Sequence, residues 1–109
     1  MATSFKVLGQ SAPSATTDTD LYTVPSATEA VVSSIIIANR DASDATFNIA
    51  IRPNGASIAN EHYIAKNITV GASDSTVLTI GVTMDAADVL TVQASTGNLT
   101  FSAYGSETA

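Results

Sequence analysis

The chain has 109 residues, a formal net charge of −6 and no cysteine. This length fits one domain, residues 1–109, with a hydrophobic core of its own, and the lack of cysteine excludes disulfides, thiol nucleophiles and cysteine-bound metals. Ten Asp and Glu stand against four Lys and Arg, which disfavours nucleic acid and anionic membranes as partners because both carry negative charge.

Apolar residues recur with a period of two, which predicts β-strands rather than helices. In chain order, the predicted strands cover residues 5–9, 20–24, 30–39, 46–52, 75–82, 88–94 and 98–104, with a shorter, irregular pair at 61–66 and 67–70. Turn-forming segments such as Pro53-Asn54-Gly55 separate them. We therefore predict an all-β fold, a single antiparallel β-sandwich of about eight strands, either jelly-roll-like or immunoglobulin-like.

The same spacing predicts which side chains fill the core. Residues 30–39 are apolar on both faces, which is typical of a central strand covered on both sides. The predicted core residues are Val31, Ile35, Ile37, Phe47, Ile49, Leu78, Ile80, Leu90, Val92, Leu99 and Phe101. Eighteen alanines and twenty-eight serines and threonines indicate a thin core, which neighbours in an assembly could supplement.

The N-terminal segment 1–19 has two interpretations. Residues 10–19 are polar and separate the short strand 5–9 from the remaining strands. The segment is either an arm that pairs with a neighbouring chain, or the first strand of this sandwich followed by a surface loop.

No arrangement of side chains predicts catalysis. His62 is the single histidine and no Gly-x-Ser-x-Gly motif accompanies it, so we expect a surface position for it. Arg52, at a strand end, is expected to be solvated, with docking of an acidic partner as the alternative. The chain also lacks phosphate-binding glycine motifs. We expect no enzymatic activity, no catalytic residues and no cofactor.

The aspartates come in close pairs that suit turns. Aspartate stabilises turns by accepting hydrogen bonds from nearby backbone, and calcium is a weaker alternative because no complete calcium loop is present. We expect no metal site. The pairs are Asp18/Asp20, Asp41/Asp44 and Asp85/Asp88.

Three structural motifs suggest a family. They are Tyr22-Thr23-Val24-Pro25 at a strand end, the turn Asn39-Arg40, and the terminal strand with Phe101, Tyr104 and Gly105. With them, residues 7–107 resemble small β-rich virion proteins of tailed bacteriophages, including those that infect cyanobacteria. The resemblance implies a virion component and supplies no catalytic residue.

Three candidate functions remain, of which the resemblance implies the first two. The first is a non-enzymatic capsid decoration or cement protein that bridges neighbouring coat subunits. The second is a tail, baseplate or fibre component, with a host-glycan surface as one possibility. The third, from another class, is a small carbohydrate-binding module or hydrolase domain. For the first two we expect other virion proteins as partners, repeated copies or a homo-oligomer, and a virion location after synthesis in the host cytoplasm, since no signal peptide is evident.

Overall fold

The computed structural model describes residues 2–109; Met1, the first residue of the predicted arm, lies outside them. Residues 2–109 form eight β-strands and two short 3₁₀ turns, Pro53–Gly55 and Asn60–His62. No helix in this range has the length and apolarity needed to cross a membrane. The strands are β1 (Thr3–Ser11), β2 (Thr19–Thr23), β3 (Glu29–Asn39), β4 (Ala45–Arg52), β5 (Tyr63–Val70), β6 (Ser75–Met84), β7 (Val89–Ala94) and β8 (Leu99–Thr108).

The strands form two four-stranded antiparallel sheets. Sheet I has the order β1-β8-β3-β6 and sheet II has the order β2-β7-β4-β5. The first strand pairs with the last, the second with the seventh, the third with the sixth and the fourth with the fifth. The chain is thus one long hairpin, rolled up by two further pairings, β3 with β8 and β4 with β7.

This order is that of a jelly roll, in which eight antiparallel strands form two packed sheets. The predicted all-β sandwich is confirmed, and the topology decides between its two versions. The immunoglobulin-like alternative is wrong, because there the first two strands lie side by side in one sheet. Here β1 and β2 lie in different sheets.

The segment Thr3–Ser11 pairs along its length with β8, so it lies in sheet I as an edge strand of this chain. The polar stretch after it leads across to sheet II. One strand prediction needs correction: residues 61–66 and 67–70 are not two strands but one, β5, whose pairing with β4 is interrupted twice. Asn67 has a positive φ of 53°, and its backbone N–H donates to the side chain of Asn48 instead of to the ladder.

Most of the predicted core lies between the two sheets. Eight of the eleven predicted residues are at most 1% exposed: Ile35, Ile37, Phe47, Ile49, Leu90, Val92, Leu99 and Phe101. Phe47 of sheet II and Phe101 of sheet I meet edge to face, with ring centroids 6.1 Å apart and planes at 78°. Such aromatic pairs add to the stability that burial alone provides.

The other three predicted core residues depart from the pattern. Leu78 is half-buried against the core, whereas Val31 and Ile80 are each 37% exposed, so their assignment to the core was wrong. A β-bulge between Val32 and Ser34 shifts the register of β3 against both neighbours. Because one extra residue reverses which side chains face inward, Val32 is buried and Val31 is not.

The pairing between strands is interrupted in β3 and also in β6, and both interruptions affect which side chains face outward. The prediction that β3 is covered on both of its faces is also wrong, since its outward face is exposed to solvent at Val31. In β6, the pairing skips two residues between Thr79 and Val82. Ile80 falls in this interruption beside Gly81, whose φ is +74°.

We expect Ile49→Ala to lower the free energy of unfolding by roughly 2–5 kcal/mol, because Ile49 is fully buried and its truncation leaves a cavity. Ile80→Ala, which removes a partly exposed side chain of the same size, should cost about 1 kcal/mol or less. Urea unfolding followed by circular dichroism measures both. Equal losses in the two variants would contradict the placement of the core.

Candidate assembly surface

His62 lies in the second 3₁₀ turn and is half-buried. Its Nδ1 atom accepts a hydrogen bond from the backbone N–H of Ala59 at 3.0 Å. The imidazole therefore closes its own turn, and within residues 2–109 no group of three or more His, Asp and Glu side chains could hold a metal ion.

The aspartates stabilise turns through backbone hydrogen bonds. Asp88 accepts from the N–H of Asn54 at 2.8 Å and from that of Asp85 at 2.9 Å, one with each carboxylate oxygen. Asp44 accepts from the N–H of Ala72 at 3.0 Å. The bond from Asp85 lies within one turn, whereas the other two join loops that are distant in sequence. Turn stabilisation therefore explains why these carboxylates occur where they do.

We expect thermal melts of the protein with a chelator and with millimolar calcium to overlay. The carboxylates of Asp41/Asp44 and Asp85/Asp88 already accept backbone hydrogen bonds, and those of Asp18/Asp20 accept hydrogen bonds from side chains. Calcium, in contrast, needs six to eight oxygen ligands. Differential scanning calorimetry measures the comparison. A rise of many degrees with calcium, absent with magnesium, would restore the aspartates as a metal site.

Arg52 is bound on several sides, which corrects the expectation of a solvated strand end. Its Nη2 atom lies 2.9 Å from the Asp20 carboxylate, and its Nε donates to the Thr91 hydroxyl at 2.9 Å. Its Nη1 donates to the carbonyl oxygens of Gly55 and Ala56. The side chain is only 19% exposed, so the guanidinium ties β2, β4, β7 and the first 3₁₀ turn together.

The outward face of sheet II continues this polar network. The Gln93 side chain accepts from Asn48 at 3.0 Å and donates to Asp18 at 3.1 Å. Asn48 and Thr91 are buried although they lie on β4 and β7 away from the core. This face is therefore covered by side chains that hydrogen bond to one another.

The outward face of sheet I is different. Residues paired across neighbouring antiparallel strands lie on the same face, and the register places Phe5, Ser106, Val31 and Thr83 in one row. A second row holds Val7, Tyr104, Ser34 and Thr79, and a third holds Ser102, Ile36 and Val77. We call this surface the uncharged face. Its only charged member among the paired positions is Glu29, at one end, opposite Thr108.

The apolar side chains of the uncharged face are accessible to solvent. Phe5 is 85% exposed, Val77 is 57%, Val7 is 48% and Val31 is 37%. The period-two pattern did not predict this face, because it placed Val31 in the core. One signal was available: Phe5 and Val7 alternate with Lys6 in a short strand, which places both apolar residues on one face.

A hydrogen-bonded triad fixes the edge strand that carries Phe5 and Val7. Lys6 of β1 lies 2.5 Å from one carboxylate oxygen of Glu107 in β8, and the Tyr22 hydroxyl of β2 donates to the other at 2.5 Å. Gly9 of β1 lies so close to the Leu21 carbonyl that a Cβ would overlap with it. The first strand is thereby held against both sheets.

The triad perturbs the titration of its members. The hydrogen bond from Lys6, and then that from Tyr22, lower the pKa of the Glu107 carboxyl below its usual value. Burial, and then the bond to Glu107, raise the pKa of the Tyr22 hydroxyl. A carboxyl with a depressed folded-state pKa stabilises the fold above its unfolded-state pKa, and this contribution disappears as the pH falls through the folded-state value.

We expect Glu107→Gln to lower the melting temperature at pH 7. The gap between wild type and variant should close as the pH falls below about 4.3, the ordinary pKa of glutamate, because wild-type Glu107 then becomes neutral too. Melting curves from pH 7 to about pH 2.5 measure the gap. Glu61→Gln, which removes an exposed carboxylate from the second 3₁₀ turn, is the control for the loss of one negative charge. A constant gap for Glu107→Gln would contradict the ionic role of Glu107.

The model of a family described as calicivirus coat protein matches residues 2–85. The matched range extends from the start of β1 to just beyond the end of β6, so it includes six of the eight strands and part of both sheets. No curated protein matches the sequence significantly.

Proposed function

Since the chain belongs to the calicivirus coat protein family, we propose that it is a capsid decoration or cement protein that bridges neighbouring coat subunits. Membership of a coat protein family makes it a non-enzymatic structural protein of the virion, which assembles with other copies of virion proteins. The decoration role and the attribution to tailed bacteriophages are the parts that we propose.

The uncharged face is the observation that carries the proposal. Four apolar side chains between 37% and 85% exposed share one sheet surface, and contiguous exposed apolar surface marks sites of protein contact. The opposite outward face, on sheet II, is covered by its own hydrogen bonds. One side of the molecule is therefore suited to solvent and the other to another protein.

The use of the basic residues favours the outside of the particle over a position against the genome. Lys6 pairs with Glu107, and Arg52 pairs with Asp20. Arg40 donates to the carbonyl of Gly97, and the Lys66 ammonium lies 4.2 Å from the centre of the Tyr63 ring. Each of the four cations is engaged within the chain, whereas binding to nucleic acid needs cations that neutralise phosphates.

The proposal predicts where the protein lies on a particle. Electron microscopy of bacteriophage particles that lack the protein, before and after addition of the purified chain, should show new density in a regular array on the outer capsid. The copy number should approach that of the coat subunits. Density confined to the tail would instead support the tail, baseplate or fibre alternative, and density forming the continuous shell would contradict decoration.

A pair of matched variants connects this binding to the uncharged face. Phe5→Asp should reduce the number of bound copies by about tenfold or more at equal protein concentration, because a repeated contact multiplies the effect of each weakened site. Ile64→Asp changes a 46% exposed isoleucine on β5 of sheet II and should bind like wild type. Equal binding by all three proteins would contradict a role for this face.

A further inference from the structure

We propose that the uncharged face binds a second copy of this chain, face to face, and so forms a two-fold symmetric dimer. The inference rests on the proposed function, since a protein that bridges two neighbouring subunits needs two binding surfaces. A symmetric dimer supplies two identical ones, and it leaves the loops of each copy free for coat subunits.

Charge is the first argument for a second copy as the occupant. Each chain carries −6, so two copies repel each other wherever their acidic surfaces approach. The outward face of sheet II presents Asp18 and Asp20, and the loops present Asp41 and Asp85. The uncharged face has only Glu29, at its end, so contact there buries almost no charge and avoids the cost of desolvating carboxylates.

Self-complementarity is the second argument. In a two-fold symmetric interface, every contact between two residues occurs a second time with the two copies exchanged. Each apolar residue of the face is therefore buried in both copies of the dimer. Phe5 lies on the edge strand β1 and Val77 on the opposite edge strand β6, with Val31 and Tyr104 on the strands between them. Apolar groups are thus distributed across the width of the sheet, as a partner with the same face requires.

The size of the face is the third argument. Four strands spaced about 4.8 Å apart, each of some ten residues rising about 3.3 Å per residue, give a surface of about 19 by 33 Å, or roughly 600 Å². Stable protein interfaces bury about 800 Å² of accessible surface per partner. Because the accessible surface of side chains exceeds the flat area beneath them, the uncharged face has the size that a dimer needs.

Sedimentation equilibrium of the purified chain tests the dimer without any other virion protein. We expect a species of twice the 11.1 kDa monomer mass. Phe5→Asp and Val77→Asp, made separately, should each raise the dimer dissociation constant by about a hundredfold, because each dimer would bury two unpaired carboxylates. Melting curves for each variant confirm that it is folded.

Ile64→Asp is the matched control, since it adds the same charge at a partly exposed isoleucine of an edge strand in sheet II. It should dimerise like wild type. A chain that stays monomeric up to millimolar concentration would overturn the proposal. So would a dimer that both face variants leave intact, or one that Ile64→Asp disrupts to the same degree.

Salt gives an independent readout. Raising sodium chloride from about 50 mM to about 500 mM should tighten the dimer, because screening reduces the repulsion between two acidic copies while the contact itself holds almost no charge. Weakening by salt would show that ion pairs form the contact and would overturn the uncharged face as the interface.

The two proposals can fail separately. A monomeric chain that still attaches to particles, with Phe5→Asp reducing attachment, would overturn the dimer and would make a coat subunit the occupant of the face. A dimer that the face variants disrupt, from a chain that never attaches to particles, would overturn the decoration role and support the dimer.

Discussion

The register of β3 is the constraint on which the rest of the structure depends. Between Val32 and Ser34, β3 has one residue more than β8, and β6 has one residue more than β3. On one side of the bulge Ala30 and Val32 face the core, and on the other Ile35 and Ile37 do so. Without the insertion one of these pairs would face outward, because side chains alternate strictly along a strand.

The bulge also sets a requirement on the neighbouring strand. Gly105 of β8 lies opposite Val32, and a Cβ at this position would overlap with the carbonyl oxygen of Val31. The glycine that ends the motif with Phe101 and Tyr104 is thus needed because the backbones approach closely there. The same local geometry turns Val31 outward, where it becomes part of the uncharged face. Core and candidate surface are therefore two results of a single register shift.

Local pattern was enough to predict much of the fold. Period-two spacing gave the strands and eight fully buried core residues, because alternation is decided by each strand and its two faces. It failed at Val31 and Ile80, where bulges interrupt the alternation. A bulge depends on how a strand meets its neighbours, and one strand read alone holds no information on this.

The topology and the polar contacts could not be predicted from the spacing of apolar residues. The pairing of β1 with β8 joins opposite ends of the chain, and the bond from Tyr22 to Glu107 joins residues 85 positions apart. Period-two spacing is the same in a jelly roll and in an immunoglobulin-like sandwich, so it could not choose between them. Arg52 was misjudged for the same reason, since Asp20 and Thr91 reach it only after the sheet has formed.

The contrast between the two outward faces leads from the fold to assembly. On sheet II, buried polar groups such as Asn48 and Thr91 have hydrogen-bond partners within the chain, so these groups need no partner from another molecule. On sheet I, the exposed apolar groups lower their free energy only when another surface excludes water from them. The Lys6–Glu107–Tyr22 triad ties β1 to both sheets, so contacts within the chain fix the strand that carries Phe5 and Val7. A contact surface that is already rigid loses less entropy on binding. For this reason, the proposed contact needs only a small patch of valines and one phenylalanine on each copy, because repetition over a particle multiplies the effect of each contact.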